Sequence, residues 1–176
     1  MITIDLGTIE RYNPNTNSFE YEHIGEKRFE HSLLSISKWE SKYCVPYLHA
    51  KKLTEEQSID YYRFMCLDGD LPKDAIDYDV SLLLSQYINQ PHTATKLQND
   101  DSKVSTKVIT SELIYATMSI ANVPFECETW NYNRLVTLLG VISAMNSEPK
   151  KKTTQEIYAE NARINAERKA KYNTRG

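Results

Sequence analysis

Pro124-Phe125-Glu126-Cys127-Glu128-Thr129-Trp130-Asn131-Tyr132-Asn133-Arg134-Leu135-Val136-Thr137-Leu138-Leu139-Gly140-Val141-Ile142 is the most apolar long segment of the chain with helical spacing. Trp130, Arg134, Leu138 and Ile142 recur at four-residue steps, which in a helix share one face. Phe125, Trp130, Leu135, Leu138, Leu139, Val141 and Ile142 carry enough apolar surface to anchor a small core. A helix starting at Pro124 and organising the chain is the expectation. Nothing in the segment is arranged like a catalytic centre.

Working upstream, Thr110 or Ser111 can cap a helix over Glu112–Ala121, and Val80–Ile88 reads as another, closed by Asn89-Gln90-Pro91. Thr54-Glu55-Glu56-Gln57 is a capping box, in which hydroxyl and amide side chains satisfy each other's backbone N–H groups at a helix start. Ile59, Tyr62, Phe64, Met65 and Leu67 give that helix its apolar surface. Pro72 sits near the start of a short acidic segment. Ser32 is a suitable N-cap for Leu33–Tyr43, which Val45-Pro46 stops because the residue before proline is pushed out of the helical region.

The first thirty residues read differently. Ile2, Ile4 and Leu6 alternate with polar residues, as do Phe19 and Tyr21, the period of a half-buried strand. Asn13-Pro14-Asn15-Thr16-Asn17 is turn chemistry and Gly25 marks a second turn, so a hairpin or three-stranded sheet is expected. The fold class is thus mainly α with a small N-terminal antiparallel β element (α+β). It divides into a β piece at 1–31, a compact helical bundle at 32–147 and a basic helical tail at 148–176. That tail opens on Lys150-Lys151-Lys152 and a second capping box, Thr153-Thr154-Gln155-Glu156.

Charge supports this division. The 176 residues carry a net charge of −3, with 26% charged and 40% hydrophobic residues, a soluble globular composition. Residues 148–176 hold eight Lys/Arg against four Asp/Glu, +4, leaving thirteen basic and twenty acidic residues elsewhere, −7. The basic end is expected to dock on an acidic neighbour, with a second copy of the chain one candidate. No apolar run approaches the roughly 20 residues a membrane span needs. The start lacks the basic and apolar regions of a signal peptide, so neither export nor membrane association is expected.

Reactive patterns are thin. His23, His31, His49 and His92 lack zinc-ligand spacing, and Cys44, Cys66 and Cys127 form no Cys-x-x-Cys pair. Cys127 lies between Glu126 and Glu128, whose charge disfavours a thiolate, so a buried structural thiol is the reading. Asp68-Gly69-Asp70 lacks the further oxygen ligands of a calcium loop, and with five glycines there is no phosphate loop. No cofactor or metal is expected. The aromatic stock of twelve tyrosines and two tryptophans is the richer feature. Trp39, Tyr43, Tyr61, Tyr62, Trp130 and Tyr132 suit either a binding surface or a core edge with hydroxyls reaching water. Arg134 is placed to stack on Trp130. Lys150, Lys151, Lys152, Arg163 and Arg168 are the basic candidates for partner contact. Nucleic acid is disfavoured as that partner, because glutamates intersperse them and the body is acidic.

Several stretches together resemble a known family. Ser32–Lys42, Ile59–Met65, Ile109–Tyr115 and Pro124–Cys127 with Trp130 and Asn133-Arg134-Leu135 resemble the tail assembly chaperones encoded among the tail genes of long-tailed bacteriophages and prophages. The resemblance implies a non-enzymatic protein of the host cytoplasm. Its partners would be the phage tape measure protein, kept soluble, and the tail tube protein, recruited to it. A structural virion protein of the neck or tail and a nucleic-acid-binding phage regulator are the alternatives.

Overall fold

The computed structural model describes residues 1–95, 108–147 and 154–172. The chain divides into two units, residues 1–144 and 145–176.

The N-terminal β piece has four strands: β1 (Ile2–Asp5), β2 (Thr8–Asn13), β3 (Ser18–His23) and β4 (Glu26–Phe29). The expected hairpin is present as β2 with β3, closed by the turn at 13–17, and β1 pairs with β4 in a second two-stranded antiparallel sheet where a three-stranded sheet was the other expectation. One long hairpin is interrupted where Gly7 and Gly25, at φ 60° and 67°, adopt a left-handed backbone that costs glycine little. The peptide N–H groups of Ile24 and Gly25 both donate to the Gly7 carbonyl there. Only the inner sheet reaches the interior, through Ile4 and Phe29.

Six α-helices follow among the described residues: α1 (Leu33–Tyr43), α2 (Glu55–Met65), α3 (Tyr78–Ile88), α4 (Ser111–Ile120), α5 (Tyr132–Asn146) and α6 (Thr154–Tyr172). The fold is α+β and mainly helical, as the sequence indicates. The caps explain where the first two helices start. Ser35 N–H donates to Ser32 Oγ at 3.2 Å while Ser32 N–H donates to Ser35 Oγ at 3.0 Å. Thr54 and Gln57 exchange the equivalent bonds at 3.2 and 2.9 Å. Cys44 in the left-handed conformation ends α1. Asp77 accepts from Val80 N–H at 2.8 Å, so α3 opens at Tyr78, two residues before the expected Val80.

The stretch Pro124–Ile142 is not one helix. Phe125–Thr129 forms a 3-10 turn, Trp130 is extended, and α5 begins afresh at Tyr132. The interruption is caused by Asn131. Its side-chain oxygen accepts from Asn133 N–H at 3.0 Å and its carbonyl from Leu135 N–H at 3.0 Å, which is N-cap geometry. Tyr132 N–H donates to the His31 carbonyl at 2.7 Å, and Ser32 and Asn131 form a β-bridge. Backbone groups that would have continued a helix are thus committed to the start of α1.

Two cores result. The first gathers Ile4, Phe29, Ile36, Trp39, Tyr61, Met65, Leu71, Ile76, Val80, Leu84 and Tyr87; the second gathers Leu33, Ile114, Met118, Val123, Cys127 and Leu135. Helix α1 serves both, with Ile36 and Trp39 in one and Leu33 in the other. It takes the organising role that the sequence suggested for 124–142. From that stretch only Cys127, Asn131 and Leu135 are buried, while Phe125 is 54% exposed.

Candidate interaction groove

The aromatic residues singled out from the sequence separate into two groups. Trp39, Tyr43, Tyr61 and Tyr62 come together with Tyr47 in the first core. Ring centroids lie 4.8 Å apart for Trp39–Tyr43, 5.2 Å for Trp39–Tyr47 and 4.1 Å for the stacked Tyr47–Tyr61 pair. Trp39 and Tyr61 are wholly enclosed, and Trp39 Nε1–H donates to the Gln57 carbonyl at 2.9 Å. For these two the partner-surface reading is corrected: a fully buried ring has no area to offer a partner, and they lie inside the core, not at an edge with hydroxyls reaching water, since the Tyr61 hydroxyl meets His31 there. Tyr43 and Tyr62 are half-buried at the margin of the same cluster.

Trp130 and Arg134 lie elsewhere, both exposed, with the guanidinium carbon 4.6 Å from the centre of the indole ring. Lys150, Lys151 and Lys152 lie outside the described residues. Arg163 and Arg168 are exposed on α6, where Arg163 Nε is 3.7 Å from Glu167.

Buried polar groups position the helices. Glu40, on α1, accepts from Tyr47 N–H at 2.9 Å through one oxygen, and from Ser111 N–H at 2.8 Å and Oγ–H at 2.5 Å through the other. Glu30 accepts from the Tyr87 hydroxyl at 2.7 Å and from Asn131 Nδ2 at 2.9 Å. Burial pushes the Glu30 carboxyl up, but hydrogen bonds from the Met1 amino group, Tyr87 and Asn131 outweigh it and hold the group below its ordinary value. His31 meets the Tyr61 hydroxyl through Nδ1 and presents its ring to Tyr132 at 5.4 Å; burial pushes it down to about 4. Among the described residues no buried side-chain nitrogen or oxygen lacks a partner. These groups fix architecture, each held by partners from other elements.

What they fix includes an open groove between α4 and α5, about 370 Å³ in volume. Ile109, Leu113 and Thr117 form one wall at four-residue spacing, Tyr132, Val136 and Gly140 the other, with Leu139 and Ile114 completing the lining. Thr117 Oγ1 donates back to the Leu113 carbonyl at 2.7 Å, so its hydroxyl is satisfied within the helix. Among the described residues no charged side chain lines the groove. Gly140 contributes no side chain to its wall. Glu40 holds the α4 wall through Ser111, and Asn131 holds the α5 wall through the start of α1.

Sequence reading missed this groove because it scored long aromatic side chains. The available signal was a pair of four-step rows, Ile109-Leu113-Thr117 and Tyr132-Val136-Gly140, each mixing apolar with small residues. Among the described residues no group of three or more His, Cys, Asp or Glu side chains is placed to hold a metal ion, and no helix is long and apolar enough to cross a membrane. Comparison of the chain with protein-family models, with curated proteins and with solved structures finds no match.

Proposed function

We propose that the protein is a non-enzymatic assembly chaperone whose α4–α5 groove takes an apolar helical stripe of a client. We further propose that the client is the tape measure protein of a long-tailed phage. The observation that carries the reading is the groove itself: among the described residues, an open furrow between two helices lined by no charged side chain and framed by buried hydrogen bonds. Leu113 and Thr117 on α4 and Tyr132, Val136 and Gly140 on α5 stand one helical turn apart, which suits the helix-in-groove mode, where side chains at i, i+3, i+4 and i+7 of a client anchor in a row. The family resemblance of Ser32–Lys42, Ile59–Met65, Ile109–Tyr115 and the Pro124–Leu135 region supplies the client class. A tape measure protein is a long amphipathic helix that self-associates until the tube encloses it, and covering its stripe in the host cytoplasm keeps it soluble for delivery to tube subunits.

Co-expression with the neighbouring tape measure gene product tests this. The client is expected in the soluble fraction, co-purifying with this chain, while mass spectrometry of finished particles finds the chain absent. A client equally insoluble with and without this chain overturns the proposal. Abundance in the particle supports instead a structural virion role.

A further inference from the structure

The outer hairpin, β2 with β3, is poorly accounted for by the two cores. All six residues of β3 are exposed, and in the described residues its only strand neighbour is β2. Register gives the hairpin two distinct faces, because cross-strand partners share a face and successive residues alternate. The pairs Tyr12–Phe19, Glu10–Tyr21 and Thr8–His23 lie on one face, and Asn13–Ser18, Arg11–Glu20 and Ile9–Glu22 on the other. The second face is turned to the body: Arg11 grips Asp74 through Nε at 2.5 Å and Nη2 at 2.9 Å. The first therefore looks outward, with Tyr12, Phe19 and Tyr21 exposed by 53, 58 and 70%. An isolated two-stranded ribbon is marginal in water, and an open edge beside uncovered aromatic rings is a template for another strand.

The charge pattern selects the occupant. Residues 8–23 carry three glutamates and one arginine, and that arginine is held by Asp74 and by Glu22 at 2.8 Å. A second copy pairing its own β3 antiparallel to this one is disfavoured. Either register that pairs five residues sets Glu20 opposite Glu20 or Glu22 of the second copy, and the six-residue register sets each aromatic ring opposite a glutamate.

We propose that the free edge of β3 is a docking site for an extended basic segment of a partner protein. Lysine or arginine alternates with apolar residues in that segment, which adds as a third strand. The basic residues fall beside Glu20 and Glu22, the apolar residues beside Phe19 and Tyr21, and backbone hydrogen bonds close the edge. This surface is separate from the α4–α5 groove, so loss of either leaves the other intact.

The probe is a short synthetic peptide alternating lysine with valine, compared with its glutamate–valine counterpart by fluorescence anisotropy and amide NMR on the full chain. The lysine peptide is expected to bind with amide shifts centred on β3, and to bind about tenfold more weakly at high salt. Glu20→Lys with Glu22→Lys should reverse the preference between the peptides. Glu20→Gln alone, which spares the Arg11–Glu22 contact, should weaken the lysine peptide several-fold without moving Tm. Absence of binding, equal binding to wild type and the charge-reversed variant, or shifts away from β3 would overturn the proposal. So would light scattering that shows a dimer which the charge reversal alters.

Discussion

The carboxylate of Glu40, buried on α1, accepts both the backbone N–H and the hydroxyl of Ser111, the first residue of α4. Seventy-one positions apart in sequence, these two residues set where one wall of the groove stands. Glu40→Ala leaves the Ser111 and Tyr47 amides without their acceptor, at about 1–3 kcal/mol for an abandoned buried group. Tm should fall by roughly 5–10 °C for a chain of this size. Glu40→Gln keeps part of the acceptor capacity and should lose about half as much. Thermal melting followed by circular dichroism checks both; an unchanged Tm in Glu40→Ala would mean that the tether contributes nothing.

Trp130 and Leu135 exchange the importance their sizes suggest. Leu135 is fully enclosed in the second core, whereas Trp130 is partly exposed and stacks on Arg134. Leu135→Ala should therefore destabilise by roughly 2–5 kcal/mol through lost burial and the cavity left behind. Trp130→Ala should lose about 1 kcal/mol or less, the scale of an exposed cation–π pair. Denaturant unfolding of the two variants measures the difference, and the reverse order would restore Trp130 as the anchor.

His31 makes stability depend on pH. Folded, it titrates at about 4; unfolded, near the ordinary histidine value of about 6.5. Between those values the unfolded chain binds the extra proton, so this contribution is complete above the higher value and is lost as pH falls toward the lower one. The loss is bounded at about 3 kcal/mol. Below that window Glu30 and Asp60, both held under their ordinary carboxyl values, add further losses of the same sign as they protonate. Melting temperatures from pH 7.5 to 4.5 should decline in wild type and flatten in His31→Gln. Parallel curves would place the pH dependence elsewhere.

Local chemistry was legible wherever a few neighbouring residues decide the outcome. Ser32 with Ser35 and Thr54 with Gln57 announce α1 and α2 because capping closes within one turn. The break at Asn131 was not legible. Its cause is the pairing of Asn131 and Tyr132 with Ser32 and His31, about a hundred residues upstream, which no local period reports. The burial of Asp60 was hidden for a related reason: beside the local Arg63, its partners Lys42 and Tyr43 come from another helix. The groove was half legible. The α5 row and the α4 pair Leu113 and Thr117 follow helical spacing, but that α4 and α5 face each other depends on Glu40 and Asn131, two polar residues that periodicity passes over.

The central claim is that the α4–α5 groove grips an apolar helical stripe. The most direct measurement is titration of a labelled amphipathic segment of the tape measure protein into the full chain and into Val136→Asp. Val136 is 37% exposed in the groove wall, so this substitution should leave stability within about 0.5 kcal/mol. Saturable binding with amide shifts along Leu113, Thr117 and Val136, weakened about tenfold or more in Val136→Asp at unchanged Tm, is the predicted result. Binding that Val136→Asp does not alter, or shifts that leave α4 and α5 untouched, would contradict it.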